Sequence, residues 1–97
     1  MFEIKWTPEA ETLYFETLEY WINHNKSNVY SLKIITEVER KEKLIAKNPL
    51  IGAAIIGAKD NVRRVLVLDN YSLHYRINKT IVEIVSFWAN KKEPSNL

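Results

Sequence analysis

The sequence predicts an α+β domain in the order β-α-α-β-β-β, an antiparallel sheet with a helical hairpin packed on one face. Three observations lead there. A short alternating strand opens the chain, two helical periods joined by a turn follow it, and three β patterns with hairpin-length links close it. Asn48-Pro49 and both glycines, Gly52 and Gly57, separate the helical half from the β half.

Phe2, Ile4 and Trp6 alternate with Glu3 and Lys5, the period of a strand. Thr7-Pro8-Glu9 then starts a helix, with a hydroxyl to cap it, proline at the first helical position and an acid in the first turn. This helix is expected to reach about Asn25. Ala10, Leu13, Tyr14, Thr17, Leu18, Trp21 and Ile22 share one broad arc, opposed by Thr12, Glu16 and Glu19. An arc so wide and aromatic predicts cover on more than one side, with Trp21 in the core. His24-Asn25-Lys26-Ser27-Asn28 is a turn cluster. A second helix follows from about Val29 to Ala46, its buried side marked by Ile34, Ile35, Val38 and Ile45. Lys33, Arg40, Lys43 and Lys47 line its other side, as a solvated face or as a contact for an acidic partner. Proline 49 disfavours a helical predecessor and ends the helix. Residues 50 to 61 read as a loop or short irregular strand. Strands follow at 61–69, 71–78 and 81–88, linked by Asp69-Asn70 and Asn78-Lys79-Thr80.

With 97 residues, a single domain spanning 1–97 is expected, its tail disordered from about residue 93. The 46% hydrophobic and 11% aromatic content argues against disorder elsewhere. Without cysteine there is neither a disulfide framework nor a thiolate zinc site. No apolar run approaches the ~20 residues that span a bilayer, and the N-terminus lacks the apolar stretch of a signal peptide, so the protein is expected in the cytoplasm without membrane contact. The net charge of +2 permits a polyanionic partner without demanding one. Charge is segregated: the first helix carries Glu9, Glu11, Glu16 and Glu19 and no Lys or Arg, while the basic residues lie mostly downstream.

No phosphate-binding glycine loop, HExxH motif, GxSxG elbow or cysteine nucleophile is present, and the two histidines are far apart, so neither a metal nor a cofactor is expected. What remains lies in "YSLHYRIN" at 71–78. Two helices cover one face of a sheet and leave the other open. Leu73, Tyr75 and Ile77 fit the helix side; Ser72, His74 and Arg76 then share the open side. Arg63 or Arg64 joins them, since neighbours in a strand point to opposite faces, and Lys91 and Lys92 end the last strand. Histidine is a candidate acid or base, and the cations are candidate phosphate or acidic-partner contacts. A wet sheet face carries the same pattern with no role. Trp88 is edge packing or a recognition platform.

The element order, "TPEA" at 7–10, Asn48-Pro49 with Gly52, "VRRVLVLDNYSLHYRI" at 62–77 and "IVEIVSFWANKKEP" at 81–94 together resemble the RelE/ParE superfamily of type II toxin–antitoxin toxins. The resemblance covers nearly the whole chain, most tellingly Tyr71 to Ile77 and the basic end of the last strand. It implies one of two activities. RelE-like members cut mRNA on the ribosome without metal; ParE-like members are associated with inhibition of DNA gyrase. This sequence departs from the RelE pattern, with Ser72 where an arginine follows the first tyrosine, and with no tyrosine or histidine after Trp88. The ending Phe87-Trp88-Ala89-Asn90-Lys91-Lys92 is similar to the ParE pattern, with Ala89 in place of a histidine.

The expected function is therefore that of a ParE-like toxin, as in plasmid-stabilisation systems, which inhibits growth by binding an essential target such as DNA gyrase. Arg63, Arg64, Arg76, Lys91 and Lys92 would contact the target. His74 stays a catalytic candidate for the alternative, a RelE-like ribosome-dependent mRNA endoribonuclease; a degenerate toxin that only binds antitoxin is the third reading. The resemblance also implies a cognate antitoxin whose C-terminal segment wraps the helical hairpin and sheet in a hetero-oligomer. Lys33, Arg40 and Trp88 are the residues expected to meet it.

Overall fold

The computed structural model describes residues 1–90. The expected disordered tail, and Lys91 and Lys92, lie outside the described residues.

Strand β1 (Glu3–Trp6) leads into helix α1 (Pro8–Asn25). Thr7 caps α1, its hydroxyl accepting the Ala10 N–H at 3.2 Å. Lys26 ends the helix in the left-handed conformation, its N–H returning to the Ile22 carbonyl. Helix α2 (Val29–Lys47) completes the hairpin, joined to α1 where the Ser31 hydroxyl donates to the Leu18 carbonyl at 2.6 Å. After a 3-10 turn at Pro49–Ile51 come the two-residue strand β2 (Ala53–Ala54), a second 3-10 turn at Lys59–Asn61, and strands β3 (Arg63–Val67), β4 (Tyr71–Asn78) and β5 (Ile81–Ala89).

The five strands lie in the order β1-β5-β4-β3-β2. β2 to β5 are antiparallel, the expected meander, whereas β1 joins β5 in parallel. The whole sheet is therefore mixed. The chain leaves β1 through two antiparallel helices and a meander, and β5 returns beside β1 running the same way.

Both helices bury their apolar arcs on one sheet face. Ala10, Ile34, Val38 and Ile45 form a single cluster with Val67, Leu73, Tyr75, Val82, Ile84 and Phe87. Trp21 is only half-buried against this cluster, and Ile22, expected on the buried arc, is exposed. Trp21 is nonetheless fixed, its indole N–H donating to the Tyr71 hydroxyl at 2.5 Å. Trp6 stacks on Tyr14 at 4.9 Å and donates to Glu42 at 2.7 Å. Burial, then Glu42 and Glu39, push the Tyr14 hydroxyl up to about 12. Phe15 and Tyr20 remain 55% and 54% exposed, the aromatic surplus expected of α1.

Candidate functional site

The β3–β4 register decides which arginine faces outward. Arg64 lies opposite His74, and Arg63 opposite Tyr75. Cross-strand partners share a face, so Arg64 joins His74 on the open side and Arg63 turns toward the helices. There Arg63 donates to the carbonyls of Gly52 at 2.7 Å and Leu50 at 3.2 Å. It anchors the 49–52 segment.

Arg76 is on the open face and half-buried, but its guanidinium is occupied. It donates to Glu83 at 2.6 Å and to Asp60 at 3.2 Å. Glu83 is its cross-strand neighbour, and Asp60 reaches over from the second 3-10 turn, where its φ is 63°. Both carboxylates favour the charged guanidinium, Glu83 foremost, so Arg76 gives up its proton even less readily than usual. Arg64 is exposed and makes no ion pair among the described residues.

His74 is half-buried between Arg64 on β3 and Ser86 on β5. Trp88 closes on it edge to face, ring centroids 6.2 Å apart. Burial lowers the imidazole pKa, and Arg64 lowers it further, so His74 is neutral at pH 7. The β4–β5 register shifts just beyond His74, where Tyr75 pairs with Ile84 rather than Val85. This bulge keeps Ile84 and Phe87 both on the core side.

Ser72, expected on the wet face, is on that face but buried. Its hydroxyl donates to Asn90 at 2.5 Å, and Trp88 stands directly opposite it. The exposed part of the face is thus Arg64, Leu66 and Trp88, with Trp88 57% exposed and His74 half-buried beside it. Sequence reasoning missed Glu83 and Asp60 as partners of Arg76, and Asn90 as the partner of Ser72. The Asn78↔Ile81 hairpin pair carries the Glu83 signal, because counting back two steps places Glu83 opposite Arg76.

Lys33 and Arg40 are exposed on α2. Arg40 is bound to Glu37 through two hydrogen bonds, at 3.1 and 2.9 Å. That bond holds the Glu37 carboxyl below its usual range. Trp88 lies on the opposite face of the sheet, so the three residues expected at an antitoxin contact do not share one surface. Among the described residues, no group of three or more His, Asp or Glu could hold a metal, and no helix is long and apolar enough to cross a membrane.

This is an α+β domain with one helix-covered face and one open face bearing a cation, an imidazole and an indole. No family profile matches the sequence, and no curated protein does. Among solved structures it is similar to a chain of the chromosomal ParDE TA (toxin–antitoxin) system from P. aeruginosa. The identity is 16%, the TM-score 0.75, and the match covers 94% of this chain and 98% of that one. At this identity the likeness carries the fold, which is the RelE/ParE-like arrangement.

Proposed function

We propose that this chain is the toxin component of a type II toxin–antitoxin system, of the ParE-like kind. It arrests growth by binding an essential cytoplasmic target such as DNA gyrase, and a cognate antitoxin neutralises it. The observation that carries this reading is the fold likeness to a ParDE chain over nearly the full length of both chains. The open face adds support for binding over catalysis. RNA cleavage needs an acid and a base held together, each typically contributing ~10²–10⁴-fold. Beside His74 the face offers Arg64, whose guanidinium only donates hydrogen bonds, and the hydroxyls of Ser72 and Ser86, and neither kind of group serves as a second acid or base near neutrality.

The test is induced expression with and without an antitoxin-like reading frame taken from beside the gene, followed by a supercoiling assay with purified gyrase. Growth arrest relieved by the neighbour, and gyrase inhibition by the toxin alone, are expected. Normal growth at confirmed soluble expression would sink the toxin reading. One observation favours a second reading: a neutral histidine beside an exposed arginine suits proton abstraction next to a phosphate. Codon-specific mRNA cuts in primer extension, lost in His74→Gln, would establish a RelE-like nuclease instead.

A further inference from the structure

Strand β1 is one edge of the sheet, and β5 is its sole strand neighbour among the described residues. Along a paired strand the backbone groups of successive residues turn alternately to either side. Glu3 donates its N–H to the Thr80 carbonyl at 3.1 Å and Thr7 to the Ile84 carbonyl at 2.9 Å, so positions 3, 5 and 7 turn toward β5. Phe2, Ile4 and Trp6 turn outward. Phe2 gives its N–H to the Ala46 carbonyl at 2.9 Å, whereas the N–H groups of Ile4 and Trp6 have no backbone partner among the described residues.

The side chains of this edge divide by face. Phe2, Ile4 and Trp6 stand on the helix side, half-buried against the core. Beside them a hollow is lined by Met1, Ile4 and Ala46 and bordered by Glu39 and Lys43 of α2. Glu3 and Lys5 stand on the open face, both exposed, and neither makes an ion pair among the described residues. Reversed, the stretch complements itself: aromatic Phe2 meets aromatic Trp6, Glu3 meets Lys5, and Ile4 meets its own kind. Charges of one sign keep bare edges apart. Here the two signs alternate, and an antiparallel copy brings opposite signs together.

We infer that β1 pairs with β1 of a second copy of this chain, antiparallel about a two-fold axis through Ile4. The two Ile4 residues exchange N–H and C=O, and each Trp6 N–H meets the Phe2 carbonyl of the other copy. Glu3 faces Lys5 of the other copy in the non-hydrogen-bonded pairs, where side chains come closest. The outward turn of Phe2, Ile4 and Trp6 allows the register to slip only by two residues. Such a slip sets Glu3 against Glu3 or Lys5 against Lys5, so charge selects this register. The two sheets become one, with both helix layers on one side and both open faces on the other. The pairing does not rest on the function proposed above.

The test follows sedimentation and NMR amide exchange of the purified chain over a concentration series up to about 1 mM. A monomer–dimer equilibrium is expected, because β1 has only four residues. Exchange at Ile4 and Trp6 is expected to slow as concentration rises, while Lys5, whose N–H already faces β5, changes little. Glu3→Lys sets lysine against Lys5 twice and is expected to weaken association about tenfold or more. Lys5→Glu sets carboxylate against Glu3 and is expected to do the same. Mixed, the two variants carry opposite charges and are expected to pair with each other, and the exchanged chain, Glu3→Lys with Lys5→Glu, to pair with itself. Lys5 lies beside Glu83 on β5, so circular dichroism checks that Lys5→Glu folds; should it not, Glu3→Lys alone decides. The inference is overturned by a chain that stays monomeric throughout, by a dimer that Glu3→Lys leaves intact, or by concentration-dependent protection at Leu66 in place of Ile4. None of these readouts uses toxicity, so a harmless chain that still dimerises would refute the proposed function and leave the β1 contact standing.

Discussion

The phenol of Tyr75 ties two backbone groups of the loop after α2 to the core. It accepts the Gly52 N–H at 2.9 Å and donates to the Pro49 carbonyl at 2.6 Å, with the ring fully buried. A Cβ at Gly52 would lie 2.6 Å from that hydroxyl oxygen. Gly52 has an ordinary extended φ of −74°, so space and not backbone freedom reserves the position for glycine.

Tyr75→Phe leaves the buried Gly52 N–H without its partner. A loss of about 1–3 kcal/mol in folding stability is expected. Gly52→Ala forces the ring aside, at a similar cost of about 1–3 kcal/mol. Urea unfolding of both variants checks this. Wild-type midpoints in both would show that the hydroxyl is not essential to the loop.

Helix α1 depends on its cap. Thr7→Ala removes the acceptor for the Ala10 N–H and is expected to lower stability by about 0.5–2 kcal/mol. Thr7→Ser keeps the oxygen and should recover most of the loss. Thermal unfolding followed by circular dichroism distinguishes the two, and equal melting temperatures would count against the cap.

The two open-face arginines are expected to differ. Arg64 is exposed without an ion pair, while Arg76 is engaged by Glu83 and Asp60. If the face binds an anionic target, Arg64→Ala removes a charged contact valued at about 1.5–3 kcal/mol, roughly a tenfold to hundredfold loss of affinity. Arg76→Ala should alter target binding much less. Growth arrest at graded expression and binding to the purified target report this. The reverse ranking would mean that Arg76 leaves its carboxylates on binding.

His74 makes stability depend on pH. Its folded pKa is lowered, chiefly by burial, below the ordinary value of 6.5. Between the folded and unfolded values the unfolded chain binds more protons, so stability rises with pH across that window. The contribution is complete above about 6.5 and is lost on acidification below it. Melting temperatures from pH 7.5 to pH 5 should fall, and His74→Gln should flatten the slope. An unchanged slope in that variant would assign the dependence to another group.

Much of this architecture is legible in the residues themselves. Thr7-Pro8 starts α1 and Asn48-Pro49 stops α2 because capping and proline chemistry are local. The outward arginine was not legible, for a physical reason. A two-residue turn at Asp69-Asn70 would pair Leu68 with Tyr71, and counting back would put Arg63 opposite Arg76, on the open face. The actual turn takes residues 68–70, so Val67 meets Tyr71 and every β3 side chain changes face. Positive φ angles at Leu68 and Asp69 allow that turn, and leucine gives no hint of one. The Asp60 contact to Arg76 was hidden in the same way, behind a left-handed residue between two short elements. Nor does an alternating tetrad at the N-terminus say which strand it joins.

The parallel joint between β1 and β5 sets an order of events for the nascent chain. Ile4 pairs with Val82 and Trp6 with Ile84, so β1 waits for β5. Until β5 emerges from the ribosome, β1 has no neighbour, and the helices lack Val82, Ile84 and Phe87 to pack on. Contacts of such long sequence separation slow folding. A chain truncated before Ile81 is therefore expected to give no cooperative unfolding transition. The domain gains both its faces together, and only once β5 has been made.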